Sequence, residues 1–311
     1  MSEQINRRDF LKKIGFAAIA ASPVASLLSS CSVKSERQPS LTILHTNDVH
    51  SRIDPFPADD PRYHGLGGYA RRKKLIDNTR LKKGENNVLV FESGDMFQGT
   101  PYFNFYKGMA EMSLMNQMHV DAVTIGNHEF DNGVQALCDC MEKANFPFIN
   151  SNYEISDERA RSLVLPYKIF ERAGLRIGVF GLGVKLAGLV GPRNCQGFTY
   201  RDPILTAIET ASLLRKKGCC FVIALSHIGY SMVNQVDDVA LAKSNADIDV
   251  IIGGHTHTFL PQPVIINNAL GRSVIVNQVG FGGINVGQLE FSFLENSKFN
   301  LASAHNKIIG G

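Results

Sequence analysis

The chain has 311 residues, 44% of them hydrophobic, and a formal charge of +3. That length and apolar content can bury a full core in one large α/β domain or two small ones, and the absence of an internal repeat points to one. Residues 1–30 carry four basic and two acidic groups, so without them the charge is +1, which gives no basis for binding a nucleic-acid polymer or an anionic membrane surface.

Residues 1–30 have the layout of an export signal: a basic start, an apolar run from Ile14 to Ala21, and small residues up to Cys31. Asn6-Arg7-Arg8-Asp9-Phe10-Leu11-Lys12 resembles a twin-arginine signal. Leu28-Ser29-Ser30-Cys31 resembles a lipoprotein processing box with Cys31 as the lipidated first residue, Ser30 being a less typical small residue there. The alternatives are an exported protein cut elsewhere and a buried amphipathic helix. The apolar run is too short for a stable membrane span. Residues 31–40 are polar and read as a tether, and residues 41–311 as one domain.

Leu41 to Leu44 reads as a buried strand that ends in His45-Thr46-Asn47-Asp48-Val49-His50. Pro55, Pro57 and Pro61 punctuate the loop Ser51 to Gly65. A helix follows from Gly67 or Gly68 to about Lys83, its run Arg71 to Lys74 read as a solvated face. Val88 to Phe91 is a strand ending in Glu92-Ser93-Gly94-Asp95, and Tyr102 to Met118 is apolar at helical spacing. The strand Ala122 to Ile125 empties into Gly126-Asn127-His128-Glu129-Phe130-Asp131, before a helix from about Val134 to Lys143. Strands near Phe146 to Asn150, Tyr167 to Phe170 and Gly174 to Gly181 come next. Asp202-Pro203 opens a helix with a side-chain cap and proline in its first turn, and Ile204, Ile208 and Ala211 are read as its stripe against a sheet. The strand Cys219 to Leu225 ends in Ser226-His227. A helix near Gln235 to Ser244 precedes the strand Asp249 to Ile252, which ends in Gly253-Gly254-His255-Thr256-His257. The remainder, Val264 to Ile308, reads as strands and turns. Strands alternating with helices and then strands alone predict mixed or stacked sheets flanked by helices. Cys138, Cys140, Cys195, Cys219 and Cys220 show no paired zinc-ribbon spacing and read as core thiols.

Five strands thus end in Asp48/His50, Asp95, Asn127/His128, His227 and His255/His257, and ligands gather at the carboxyl ends of strands in α/β sheets. A lone His227 would read as a satisfied structural histidine, but five of the nine histidines occupy these positions. Asp48 and His50, two apart, can reach one ion. His255 and His257 can chelate one metal or straddle two, and Asp95 has two oxygens with which to bridge. Imidazole and carboxylate donors suit zinc, manganese, iron or nickel better than calcium. The lack of cysteine among them argues against a closed structural zinc site. Glycines before Asp95, Asn127 and His255 suit tight turns and close backbone approach.

These blocks resemble the signature of the binuclear metallophosphatases, the calcineurin-like phosphoesterase superfamily: Asp48-Val49-His50, Gly94-Asp95, Gly126 to Glu129, His227 and Gly254 to His257, in order. The longer stretches Leu44 to His50, Gly68 to Arg71, Ser93 to Pro101 and Gly126 to Asp131 resemble the 5′-nucleotidase branch. The resemblance implies a four-layer α/β/β/α sandwich with two mixed sheets. It also implies two divalent ions among zinc, manganese, iron, cobalt and magnesium. One would be held by Asp48, His50, Asp95 and His257, the other by Asp95, Asn127, His227 and His255. Two ions ~3.5–4 Å apart bind phosphate oxygens and bring a water's pKa from about 15.7 toward 7. His128 is left to meet the phosphate or the leaving oxygen, with Asp131 orienting it; Asp131 also reads as a helix cap before Gly133. Twin-arginine export, which carries folded proteins, suits a domain that takes up metal before crossing a membrane.

By the same resemblance the expected activity is release of phosphate from nucleotides outside the cytoplasm, in a periplasmic or cell-envelope lipoprotein anchored through Cys31. Within the fold the alternatives are a cyclic-nucleotide phosphodiesterase, a UDP-sugar hydrolase or another ester hydrolase. From another class comes a catalytically silent lipid-anchored binding protein, against which the intact ligand set and dyad count. Proteins of this branch usually continue into a second domain that supplies nucleobase-stacking aromatics and phosphate-binding arginines, whereas this sequence stops at Gly311. The expectation is that a separate polypeptide supplies that half, or that loops such as Ser51 to Gly65 read the substrate.

Overall fold

The computed structural model describes residues 38–244, 247–294 and 299–310. The expected leader, Cys31 and most of the tether lie outside the described residues.

The chain opens with β1 (Ser40–Thr46), helix α1 (Tyr69–Lys83), β2 (Val88–Glu92), α2 (Pro101–Tyr106), α3 (Met109–Gln117), β3 (Ala122–Thr124) and α4 (Gly133–Met141). It continues through β4 (Phe148–Ile149), β5 (Tyr153–Ile155), α5 (Glu158–Leu163), β6 (Val164–Leu165), β7 (Tyr167–Arg172), β8 (Leu175–Gly183) and β9 (Phe198–Tyr200). The last part holds α6 (Pro203–Lys216), β10 (Phe221–His227), α7 (Asp238–Ser244), β11 (Val250–Ile252), β12 (Val264–Asn267), β13 (Ser273–Asn277), β14 (Asn285–Phe293) and β15 (Phe299–Ile308).

One sheet has seven strands in the order β15-β14-β1-β2-β3-β4-β6 and the other six in the order β12-β13-β11-β10-β8-β7. In the first, β1, β2, β3, β4 and β6 are parallel while β14 runs antiparallel to both neighbours. In the second, β8, β10, β11 and β13 are parallel and the edge strands β12 and β7 antiparallel. Both sheets are therefore mixed.

Side chains alternate across a strand, so a strand covered on both faces must be apolar at successive positions. In β1, Leu41 and Ile43 enter a core between the sheets, where they meet Ile177, Val179, Phe221 and Ile223, while Leu44 faces a second core with Ile76 of α1 and Met112 of α3. In β10, Val222 and Ala224 face a third core with Ala207, Ala211 and Leu214 of α6 and Leu241 of α7. Three apolar cores between four layers give the expected α/β/β/α sandwich.

Several local expectations need correction. The apolar stretch Tyr102 to Met118 is two helices, broken where Lys107 and Gly108 take φ of 51° and 95°. The Lys107 amide bonds back to Phe103 O at 2.7 Å, which ends α2. A Cβ on Gly108 would lie 2.7 Å from the Phe97 ring and 2.8 Å from Cys140 Sγ, so the break lets the chain pass close to both. The basic face of α1 is not wholly solvated, because Arg72 is 1% exposed and its guanidinium lies 3.9 Å over the Tyr69 ring. On α6 the buried face is Pro203, Thr206, Ala207, Ala211 and Leu214; Ile208 is 41% exposed, because Leu214 packs against the flat surface at Gly178 and sets the helix rotation. The cap itself is as expected, with the Asp202 carboxylate accepting from Leu205 N at 2.9 Å. The strands β5, β6 and β9 and helix α5 carry no periodicity that the sequence reading could detect.

Candidate metal centre and its opening

Every loop carrying a candidate ligand leaves the carboxyl end of a parallel strand. Asp48 and His50 follow β1, Asp95 follows β2, Asn127 and His128 follow β3, His227 ends β10, and His255 and His257 follow β11. Three of these strands belong to one sheet and two to the other, so the cluster exists only because the sheets stack with these ends together.

The side chains form three overlapping groups, Asp48/His50/His257, His50/Asp95/His128 and Asp95/His227/His255, with the donor atoms within each group no more than 4.8 Å apart. Asp48 Oδ1 lies 3.3 Å from His257 Nε2 and 4.0 Å from His50 Nε2. Asp95 Oδ2 lies 3.1 Å from His227 Nε2. Asp95 thus belongs to two groups, as a bridging carboxylate must.

Hydrogen bonds elsewhere on the rings leave bare lone pairs pointing inward. His50 Nδ1 donates to Phe97 O at 3.2 Å, and its Nε2 sits 2.9 Å from His257 Nε2. His227 Nδ1 donates to Ser93 O at 2.7 Å, leaving a buried Nε2 with no hydrogen bond of acceptable geometry. Asn127 Oδ1 is likewise buried without a partner. Nitrogen and oxygen lone pairs converging on one another and on two carboxylates repel unless positive charge lies between them, so this donor set fits divalent cations. The carboxylates' demand for positive charge shows in the titrations, where without an ion it is met by a proton on His227. Burial by itself would lower His227, but Asp95 and Asp48 outweigh it and push its pKa up to about 10. Burial raises Asp95, yet His227, His50 and His128 hold it below the usual carboxylate range. Burial holds His50 down and brings His255 to about 4, in the neutral form a metal ligand requires.

The backbone is held in uncommon conformations here. Five of the seven candidate ligands, Asp48, His50, Asp95, His255 and His257, have φ between 48° and 74°, a region that costs non-glycine residues about 1–3 kcal/mol each. Asp48 N donates to Gly94 O at 2.9 Å and His50 N to Asp95 O at 3.0 Å, tying the first two loops together. His255 N donates to Asp48 Oδ2 at 2.9 Å. Two glycines are needed for close approach: a Cβ on Gly126 would lie 2.8 Å from His227 Nε2, and one on Gly254 2.6 Å from Ser93 O.

A residue without an assigned role holds this together. Glu129 is buried and accepts from Asp95 N at 2.9 Å, Met96 N at 2.8 Å, Phe97 N at 3.3 Å and Gly126 N at 2.6 Å. It lies on a short 3-10 turn, His128–Phe130, in which successive side chains point about 120° apart. One of the three must face inward, and a carboxylate beside the glycine-rich Asp95 loop was the signal available for finding it. Asn47 does comparable work, donating to Asp48 Oδ2 at 2.7 Å and Gly280 O at 2.6 Å.

His128 and Asp131 stand at the opening of the cluster, each side chain 32% exposed, with His128 Nδ1 to Asp131 Oδ2 at 2.9 Å. That hydrogen bond is the main reason the His128 pKa is raised. The alternative role of Asp131 as a helix cap is not realised, since α4 is preceded by Asn132 and has no side-chain cap. His50, His128 and His257 line a cavity of about 270 Å³ with Arg52, Phe56 and Phe281. At the His255 end a larger cavity of about 600 Å³ is lined by Lys185, Leu189, Tyr200 and Met232 among others.

The chain belongs to the calcineurin-like phosphoesterase family, whose profile matches residues 41–259. Among its relatives, the snake venom 5′-nucleotidase of Crotalus adamanteus is 35% identical over 276 residues, which cover 81% of this chain and 45% of that protein. The crystal structure of a 5′-nucleotidase precursor from Thermus thermophilus matches with a TM-score of 0.78 at 31% identity, over 87% of this chain and 55% of that one. The structure of Haemophilus influenzae NAD nucleotidase matches with a TM-score of 0.77 at 26% identity, over 88% and 51%. The chain spans about half the length of the curated relatives it matches.

Proposed function

We propose that this chain is a metal-dependent phosphoester hydrolase of the 5′-nucleotidase type, which releases phosphate from nucleotides outside the cytoplasm. The observation that carries the reading is the shared Asp95, common to the two groups around His50 and His227, with the His128–Asp131 pair at their opening. In this reading Asp48, His50, Asp95 and His257 hold one divalent ion, and Asp95, Asn127, His227 and His255 a second. When bound, the two ions supply charge stabilisation for the phosphoryl oxygens and activate water as the nucleophile.

The chain's own residues do the rest. Asp131 accepts the Nδ1 proton of His128, which fixes the ring and leaves Nε2 for the substrate. The raised pKa favours a doubly protonated His128 ring. As the oxygen of water bonds to phosphorus and the phosphorus–oxygen ester bond breaks, His128 therefore gives its Nε2 proton to the leaving alkoxide. The water's proton leaves with the phosphate or to solvent, His128 regains one from solvent, and the products are an alcohol and phosphate. Glu129 holds the loop of Asp95 from below, so the bridging carboxylate does not reorganise during the reaction.

Export through the twin-arginine-like leader, anchoring at Cys31 and a separate polypeptide that completes the substrate site belong to the same proposal. Among the described residues no helix is long and apolar enough to cross a membrane. The test is phosphate release by metal-stripped protein reloaded with manganese, zinc, cobalt or magnesium. It uses nucleoside 5′-monophosphates, a cyclic nucleotide, a nucleotide sugar and NAD, with and without any chain that co-purifies from the native host. The proposal expects the monophosphates to be cleaved best; turnover of no phosphoester with any ion would favour a binding protein.

A further inference from the structure

Arg52 stands two residues beyond His50, and its direction is set by the strained segment before it. Asp48, His50 and Ser51 all have φ near +50°. Ser51 N donates to Met96 O at 2.8 Å and its hydroxyl to Glu111, and Arg52 N closes a turn onto Val49 O at 3.0 Å. The Arg52 guanidinium lies 4.2 Å over the Phe56 ring. Among the described residues it makes no side-chain hydrogen bond and no ion pair within 4 Å, although Asp60 is near enough to feel its charge, whereas Arg80, Arg159 and Arg215 are each tied to carbonyls or carboxylates. It lines the same cavity as His50, His128 and His257. A planar donor fork that lies over one ring and lines the same cavity as three imidazoles suits oxygen anions.

We infer that Arg52 binds a non-bridging phosphoryl oxygen of the substrate and selects phosphomonoesters over phosphodiesters. The inference rests on the proposed phosphoester hydrolase reading and narrows it. A monoester is a dianion with three non-bridging oxygens, whereas a diester has one charge and two such oxygens. The third oxygen exists only in the monoester, and Arg52 is the Lys or Arg side chain that lines this cavity. This contribution to monoester selection lies within the described domain, whatever another polypeptide adds.

The test uses metal-loaded full-length protein and the variants Arg52→Met, Arg52→Ala and Arg52→Lys. Inorganic phosphate binding is measured by calorimetry, and kcat/KM is compared for p-nitrophenyl phosphate and bis(p-nitrophenyl) phosphate. Arg52→Met keeps an apolar stem over Phe56 and guards against loss of the loop. The expected result is a 10- to 100-fold weaker phosphate affinity for Arg52→Met and Arg52→Ala, on the order of one charge-assisted hydrogen bond. Monoester kcat/KM falls by a similar factor, diester kcat/KM changes by less than about threefold, and Arg52→Lys recovers much of the loss. Unchanged phosphate binding, equal losses on both esters, or a lysine variant no better than methionine would each overturn the inference. Wild-type protein that binds phosphate but cleaves neither ester would instead overturn the hydrolase reading, and phosphate binding by the variants would still judge Arg52.

Discussion

The His128 amide donates to Asp95 Oδ1 at 2.8 Å whatever the side chain, and the ring, close to His50 and Asp95, is held by Asp131 through one hydrogen bond. Replacing His128 with Asn should therefore lower kcat by about 10²–10⁴ while the metal content, read by elemental analysis, stays at the wild-type level. Parallel loss of metal and turnover would mean that His128 is a ligand. Asp131→Asn should cost about 10- to 100-fold, as loss of an orienting partner does. Glu129→Ala is of another kind, because four buried amides lose their acceptor at once. It should lower unfolding stability by about 3 kcal/mol or more, seen as a lower denaturation midpoint even in metal-free protein. The polar residues at the ends of apolar runs were legible in the sequence, since Asp, Asn and His seldom end buried strands without a reason. Glu129 was quoted as part of a motif but given no role, and Arg72 was misread as solvated. In both cases the side chain's direction is set by packing between elements rather than by local spacing.

At the scale of elements, the strands were legible because both faces of each central strand are covered, which forces continuous apolar runs such as Val88 to Phe91 and Phe221 to Leu225. Helix faces were less so. On α6 the sequence offers Ile204, Leu205, Ile208 and Leu213 as well as the residues that are buried, and only the sheet decides which stripe turns inward. The cap of that helix was readable, since it depends on two adjacent residues. Asp202→Ala should cost about 1 kcal/mol, a shift of roughly 2–4 °C in Tm for a domain of this size. No measurable change in Tm would show that the carboxylate does not hold the first turn. The break at Lys107-Gly108 was not readable, because it answers to Phe97 and Cys140 from elsewhere in the fold.

For the whole molecule, two buried groups that are not candidate ligands set opposing pH limits. Burial lowers the pKa of His45 to about 3, below its unfolded value near 6.5, so the stability it contributes is whole above pH 6.5 and is lost as pH falls toward 3. Burial raises Glu92 to about 8, against the opposing pull of Thr46 and Arg72. Its contribution is whole below its unfolded value near 4.5 and is lost as pH rises toward 8. These two groups together favour the range between about pH 4.5 and 6.5, and because buried Glu129 and Asp238 are raised as well, Glu92→Gln should make the alkaline fall in a series of thermal melts shallower without removing it. A fall from pH 6.5 to 8 as steep in that variant as in the wild type would assign the limit to another group. Chelation should lower Tm at neutral pH, where the ligands can be deprotonated and ions that bind the folded cluster stabilise it by mass action; equal midpoints there with and without chelator would mean the cluster holds no ion.

The four layers were legible from strand and helix order, and the convergence of strand ends on one cluster was expected from the polar residues that end them, but the sheet to which each strand belongs was not, because it depends on how the sheets stack. That convergence, with Asp95 shared between two groups, is the central claim and has a direct test. Metal-stripped protein is titrated with manganese or zinc while bound ions and phosphoester hydrolysis are followed together. The account predicts that hydrolysis saturates when two ions are bound per chain and that Asp95→Asn abolishes both plateaus. Saturation at one ion, or hydrolysis that persists without any, would contradict it.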